Sequence, residues 1–461
     1  MSNRSVAVTS LSLSMLMPSL DTSIANVGLP ALAVAFNASF QDVQWIVLTY
    51  LVAITTLVVG AGRLGDIIGR RRLMLAGITV FTVASLVSGL APTLKVLLAA
   101  RAAQGLGAAT MMALAMAFVA DTVPKARVGS VMGLLGSMSA IGTTCGPSLG
   151  GLLIAGFDWR ALFLVNVPMG TLTLVLAARA LPTDPETDSA VRPAFDYAGS
   201  LVLAAALAAF ALAMTIGRGH FDGRHVLLLS VAAAGAAVFV VVETRTATPV
   251  VRLEMFRDPG LRSGLAMSSL VSTVMMATLV VGPFYLSRAI GLAAASVGFA
   301  LSIGPAVSAV TGLPAGRLVD RLGAPRMIVV SLLALAGGAT AVATLPATLG
   351  LIGYLAPLVV MTGSYALFQA ANNTRLMTHV GSDERGTVAG LIALSRNLGL
   401  ITGASAMGAV FAIGSASADI TTASPSAIAT GMRLTFSVAA MLMVGALTIA
   451  LRTRLTASHA H

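Results

Sequence analysis

A chain of 461 residues that is 57% hydrophobic and 10% charged does not read as a water-soluble fold, because soluble domains devote about 25% of their residues to charge. Its mean hydropathy of +0.93 and its richness in Ala, Leu, Val, Gly and Met suit helices packed closely in a membrane. A net charge of +11 would raise nucleic-acid binding in a soluble protein, but here the charges lie in short segments between apolar runs, so membrane topology accounts for them and no nucleic-acid partner is expected.

Catalytic chemistry has little to stand on. Cys145 is the only cysteine, which leaves no intrachain disulfide and no cysteine cluster for a metal. The histidines (His220, His225, His379, His459 and His461) fall in expected loops, helix ends or the tail. No HExxH, P-loop or GxSxG element occurs. The expectation is a protein that is not an enzyme and holds no metal or cofactor.

A spanning helix needs about 20 apolar residues. Fourteen runs qualify: 8–35, 45–62, 73–92, 95–120, 129–156, 161–181, 197–216, 225–244, 263–288, 295–315, 327–346, 350–377, 386–412 and 431–452. Their length and lack of alternation favour helices over barrel strands. The opening Met-Ser-Asn-Arg and the apolar stretch after it resemble a signal peptide. With so many spans behind it, this stretch reads as an uncleaved first helix.

The first run carries Asp21, the one carboxylate expected deep in a helix, and Asn26 one turn further on. A charge at mid-bilayer costs at least about 2.5–3.5 kcal/mol, so it must face a cavity or a partner. Burial disfavours the charged carboxylate and a nearby cation favours it. Those opposed effects suit a proton switch; a static ion pair or a kink is the alternative. The second run ends in G-R-L-G-D-I-I-G, Gly62 to Gly69.

The fourth run carries Arg101 near its start and Gln104 three residues later. If the first helix enters from inside and the fourth from outside, both Asp21 and Arg101 lie about 10 Å below the outer face of a ~30 Å core. Arg101 is therefore expected to hold Asp21 ionised in one state, with bonds to span-1 carbonyls as the alternative. The fifth run contains Gly142, Gly146, Pro147, Gly150 and Gly151. Proline bends the helix, and glycines four apart share one face and permit close approach. The expectation is a tight contact between two halves of the molecule; ordinary helix packing is the alternative.

Asn26, Gln104, Met138 on the fifth run, Gln369 on the twelfth and Arg396 on the thirteenth are expected to line a substrate cavity. The 22 methionines fit an adaptable apolar lining, although methionine is also ordinary membrane filler. Arg396 lies near mid-membrane in a half with no deep acid, so Gln369, backbone or a substrate anion would have to satisfy it.

A second octapeptide, G-R-L-V-D-R-L-G from Gly316 to Gly323, repeats the first 254 residues on. Another echo, Gly129 with Gly386, has an offset of 257. Two echoes at nearly one offset indicate two six-helix halves. The first occupies 1–181 and the second 263–461, with two inserted helices and their linkers in 182–262. Such repeats are a transporter architecture, with the site between the halves. Sidedness follows from the basic residues. Six lie on the outer side (Lys95, Arg160, Arg218, Arg224, Arg288 and Arg433) and two within helices (Arg101 and Arg396), which leaves twenty of the 28 inside. Both termini are then expected inside.

These stretches resemble the major facilitator superfamily. Gly62-x-x-x-Asp66-x-x-Gly69-Arg70-Arg71-Arg72 resembles its loop 2–3 signature. Leu20 to Pro30 resembles the span-1 signature of the fourteen-helix drug:proton antiporters. Arg101-x-x-Gln104-Gly105-x-Gly107 resembles the span-4 motif, and Gly142 to Gly151 the span-5 antiporter motif. D-W-R-A-L-F-L-V-N-V-P, Asp158 to Pro168, also matches that branch. One departure is Ile67, where the family usually has a basic residue.

The resemblance implies an all-α integral membrane protein with two six-helix bundles and two inserted helices. It implies proton-coupled multidrug efflux by alternating access, exporting amphipathic cationic or zwitterionic drugs or antiseptics. A dedicated exporter of an endogenous metabolite or anionic compound is the alternative. Gly62, Arg63, Asp66, Gly69, Arg70 and Asp121 would form an inside latch; orientation signals and weak surface ion pairs are the plainer reading. The expected partners are the substrate, protons and the lipid bilayer of a bacterial cytoplasmic membrane, with the protein a monomer and any periplasmic accessory partner open.

Overall fold

In the computed structural model the described residues are 3–122, 128–182, 197–215, 223–246, 253–345, 349–378, 385–416, 420 and 423–458. Among them every regular element is helical. The α-helices run α1 Asn3–Ala35, α2 Phe40–Ile68, α3 Arg70–Gly89, α4 Leu94–Thr122, α5 Val128–Gly156, α6 Ala161–Leu164, α7 Asn166–Ala180, α8 Tyr197–Thr215 and α9 Gly223–Arg245. They continue as α10 Pro259–Phe284, α11 Ala294–Leu322, α12 Ala324–Thr344, α13 Gly350–Thr378, α14 Arg385–Thr402, α15 Gly408–Ser415 and α16 Pro425–Ser458.

Among the described residues, thirteen helical stretches are long and apolar enough to cross a membrane. The first expected span, 8–35, is not one of them. Its helix α1 is long enough, but Ser10, Ser12, Ser14, Ser19, Asp21, Thr22, Ser23 and Asn26 dilute its hydropathy. Most of those side chains are buried, so the polarity faces protein. Such a helix needs no continuous apolar surface, and composition alone under-reads it.

Two spans expected as single helices contain π-helical turns: Tyr285–Ala289 after α10, and Gly403–Met407 between α14 and α15. A third is broken at Val165, between α6 and α7. No hydropathy signal marks these breaks, because the extra residue of a π-turn changes the helix register and not its apolar content.

The chain forms two compact units. The first comprises Met1–Ala38, Trp45–Phe210 and Leu229–Val250, the second Ser39–Gln44, Ala211–Leu228 and Val251–His461. In the first unit α1 lies along α5 and α7, and α3 along α4 and α7. Leu11, Met17, Met74, Phe81, Met111 and Phe118 are among the side chains of its core. In the second unit α10 packs on α14 and α16, and α12 on α13 and α16. Phe40 stands edge-on to Phe284 and Phe411 there, with ring centroids 4.9 and 5.5 Å apart.

The paired octapeptides end at the same backbone device. Gly69 (φ 104, ψ 126) is the single residue between α2 and α3, and Gly323 (φ 84, ψ 139) the single residue between α11 and α12. A Cβ is strained in this region, so both copies close on glycine. Gly62, by contrast, faces open space, with nothing within 4 Å of a Cβ built there. Gly69→Ala and Gly323→Ala are each expected to lower stability by about 1–3 kcal/mol. Thermal unfolding of the purified protein reads this, and unchanged midpoints would refute the strain argument.

The glycines of α5 pack against α1. A Cβ on Gly142 would lie 2.5 Å from the Leu16 carbonyl oxygen and 2.9 Å from the Leu20 nitrogen. One on Gly146 would collide with the Ser23 hydroxyl, and one on Gly150 would lie 2.9 Å from an Ile24 side-chain carbon. The close approach of these three residues is therefore inside one unit, where the sequence reading expected one between halves. The reason is geometric: the glycine face of α5 is the face turned to α1. Buried Pro147 lies within an uninterrupted α5, and Gly151 is also buried.

The second unit repeats this seam. Gly399 and Gly403 lie 257 residues beyond Gly142 and Gly146, and Cβ atoms there would run into the Ser269 and Thr273 carbonyl oxygens of α10. Ser23 Oγ donates to the Gly142 carbonyl at 3.3 Å, and Thr273 Oγ1 to the Gly399 carbonyl at 3.2 Å.

Candidate functional site

Four fully buried polar side chains meet inside the first unit: Asp21 on α1, Arg101 and Gln104 on α4, and Asn166 at the start of α7. Arg101 Nη1 donates to Asp21 Oδ2. Gln104 Nε2 and Asn166 Nδ2 both donate to Asp21 Oδ1, each at 2.8 Å. The spacing of three residues on α4 puts Arg101 and Gln104 on one face, and Arg101 Nη1 also donates to Gln104 Oε1 at 2.7 Å.

An outer layer fixes these groups. Gln104 Nε2 donates to Ser85 Oγ at 2.8 Å, and Ser85 donates to the Phe81 carbonyl at 2.7 Å. Arg101 Nε donates to the Ile46 carbonyl at 3.0 Å. Its guanidinium carbon lies 4.2 Å from the centroid of the Tyr50 ring and 5.6 Å from that of Phe163. The Tyr50 hydroxyl donates to the Pro18 carbonyl, one turn before Asp21, at 3.2 Å.

A buried charge persists only when it is paired and hydrogen-bonded. Asp21 meets that condition with one cation and two amides; Arg101 has a carboxylate, two oxygens and two aromatic faces, while its Nη2 is buried and donates no hydrogen bond.

The sequence-selected residues distribute unevenly around this centre. Asp21, Arg101 and Gln104 come together. Arg101 bonds a carbonyl of α2, and not the span-1 carbonyls of the alternative reading. Gln104 and Asn26 are fully buried rather than open to a cavity; Asn26 Nδ2 donates to its own helix at Thr22, 2.7 Å away. Gln104 has both ends of its amide bonded inside the packed unit, whereas the Asn26 oxygen is buried and accepts no hydrogen bond. Met138 is half-buried on α5. Gln369 is half-buried, and its amide donates to the Tyr365 hydroxyl on the same helix at 2.7 Å. Arg396 is half-buried on α14. Among the described residues no carboxylate pairs with it, and no hydrogen bond joins it to Gln369.

Of the latch residues, Gly62 and Gly69 are described above, and Arg70 is half-buried at the start of α3. The side chains of Arg63, Asp66 and Asp121 lie outside the described residues.

Sequence reasoning passed over Asn166, Ser85 and Tyr50. Asn166 did leave a trace, as the one amide in the apolar run L-F-L-V-N-V-P. An isolated amide in a spanning helix needs a partner, and that rule would have sent the search to Asp21.

The model of the Major Facilitator Superfamily matches residues 11–404. The chain belongs to this superfamily. Within it, the chain is 31% identical over 411 residues to "Multidrug resistance protein Stp" of Mycobacterium tuberculosis, covering 87% of this chain and 74% of that protein. It is 26% identical to "Riboflavin transporter RibZ" of Clostridioides difficile, covering 86% of each. A solved structure with the same fold is a bacterial homolog of the human lysosomal transporter Spinster, with TM-score 0.70 and 16% identity over 97% of this chain and 96% of that one. As a major facilitator protein the chain is a multi-pass membrane transporter and not an enzyme.

Proposed function

We propose that this transporter is a proton-coupled exporter of amphipathic cationic or zwitterionic drugs, working by alternating access as a fourteen-helix antiporter of the bacterial cytoplasmic membrane. The observation that carries this reading is the Asp21–Arg101 pair, fully buried and linked to Gln104 and Asn166. A static core would be served as well by apolar side chains. A carboxylate held in a membrane unit has one reversible chemistry suited to transport, the gain and loss of a proton. The likeness to a multidrug resistance protein supports the substrate class. In this reading the chain is a monomer with two six-helix halves, 1–181 and 263–461, around inserted helices in 182–262. Both termini are cytoplasmic, and the Gly62–Arg70 turn with Asp121 is an inside latch.

Protonation of Asp21 removes the charge that anchors Arg101 and biases the protein between two conformations. Drug binding favours the state that releases the proton, and the proton gradient returns the cycle. Proteoliposomes test this directly. Adding drug is expected to release protons, and an acid gradient is expected to drive drug uptake against its concentration. Drug movement indifferent to the gradient would overturn proton coupling. A susceptibility panel in a pump-deleted host would identify the drugs carried.

A second reading rests on Arg396, a cation on a spanning helix without a carboxylate partner among the described residues. It favours a dedicated exporter of an anionic metabolite, and a relative named as a riboflavin transporter shows that similar chains carry names other than multidrug exporter. An Arg396→Gln protein that keeps its whole drug profile would argue against this second reading.

A further inference from the structure

We infer that Asn166 is a positioning residue for the proton switch, whose function is to hold the Asp21 carboxylate in its ionised form. The inference rests on the proposed coupling role of Asp21 and extends it to a residue on a different helix.

The network treats its two amides differently. Gln104 is locked at both ends: Oε1 accepts from Arg101, and Nε2 donates to both Asp21 and Ser85. Turning that amide over would set an N–H against Arg101 and an oxygen against the carboxylate. Asn166 has a single polar partner. Its Nδ2 donates to Asp21 Oδ1 at 2.8 Å, while its Oδ1 is buried and accepts no hydrogen bond. The one polar contact that orients the amide is therefore the one with Asp21.

This has a cost to the fold. A buried amide oxygen without a donor is unfavourable, and an apolar residue of the same shape would avoid that penalty. Leucine branches at the same side-chain carbon, and Leu162 and Phe163, four and three residues earlier in the chain, are buried and apolar. What asparagine supplies is the third N–H on a fully buried carboxylate. Such donors stabilise the charged form and do nothing for the protonated form.

The groups facing Asp21 leave Asn166 as a distinct lever. The charged or titratable ones are Arg101 from α4 and Tyr50 from α2, which carries an electrostatic interaction with both Asp21 and Arg101. From α3, Ser85 reaches Asp21 only through Gln104. α5 presents glycines 142 and 146 to α1. α6 contributes Phe163, over which Arg101 lies, and α7 contributes Asn166. Removing Arg101 or Gln104 disturbs several bonds at once, whereas removing the Asn166 amide disturbs one.

The test is Asn166→Leu in the full-length purified protein, read in two ways. The infrared carbonyl band of the protonated buried acid, identified by its absence in Asp21→Asn, is titrated with pH. Its midpoint is expected to rise by about one pH unit, the size of one hydrogen bond to a charged group. A titration midpoint within 0.2 or so of wild type, or a loss of stability with an unmoved titration, assigns Asn166 a packing role and overturns the inference. Asn166→Ser, which restores a short hydroxyl donor, is expected to recover part of the shift; no recovery with a correctly folded protein counts against a donor role. If Asp21→Asn still exchanges drug for protons, the coupling proposal falls by itself. The infrared titration still decides what Asn166 does.

Discussion

Asp21→Asn is expected to abolish drug-driven proton release, and Arg101→Leu to destabilise the protein by about 3–5 kcal/mol, because each leaves its partner's charge buried without its counter-charge. The two effects differ in kind. Asparagine keeps the shape of Asp21 and an oxygen for Arg101 Nη1, so the site still closes but cannot take up a proton. Leucine at 101 leaves a carboxylate supported only by Gln104 and Asn166, among side chains that admit no solvent. The double variant removes both charges and is expected to be more stable than the sum of the singles by about 0.5–3 kcal/mol. Thermal unfolding of the four proteins closes this cycle. Additive single effects would mean that the bridge is not energetically coupled, and the proton-switch reading would lose its basis.

Gly142→Ala is expected to cost about 1–3 kcal/mol and to impair transport, by overpacking a helix seam that no rotamer change can relieve. The atoms in the way, the Leu16 carbonyl oxygen and the Leu20 nitrogen, belong to the backbone. Gly146→Ala is no more forgiving, since the Ser23 hydroxyl can rotate but the Ser23 Cβ at 2.8 Å and the Ile24 nitrogen at 3.1 Å remain. Gly337→Ala is the control, because a Cβ there meets nothing within 4 Å and alanine favours a helix by about 0.5–1 kcal/mol. If all three variants melt alike, close packing is not what these glycines provide.

Much of the fold was legible in the sequence because a membrane simplifies the code. Apolar length and few charges mark a spanning helix wherever its surface meets lipid. The same rule explains the exception, α1, whose surface meets protein and whose serines therefore hide it. The Asp21–Arg101 pairing was legible from depth alone, since two opposite charges at one level of an apolar medium have few other partners. Gln104 and Asn26 show the limit: periodicity places them on a helix but does not say whether their face meets a cavity or another helix. The seam of Gly399 and Gly403 escaped for a different reason. It contains no proline, and only the offset of 257 carried from the first half would have revealed it. The π-turns at Tyr285–Ala289 and Gly403–Met407 left no mark that hydropathy could carry.

The glycine seams have a mechanical meaning. With backbone against backbone there is no side-chain cushion to compress, so α1 cannot slide or roll on α5. The two behave as one stiff plank, and α10 with α14 as another. The link from α1 to α4 at the site is of the opposite sort, a charged clasp, and in the proposed proton-coupled cycle protonation of Asp21 would loosen it. Force from that event would not be spent on bending α1 alone. It would swing the plank, and a small chemical change at Asp21 would be read out along the whole length of two helices.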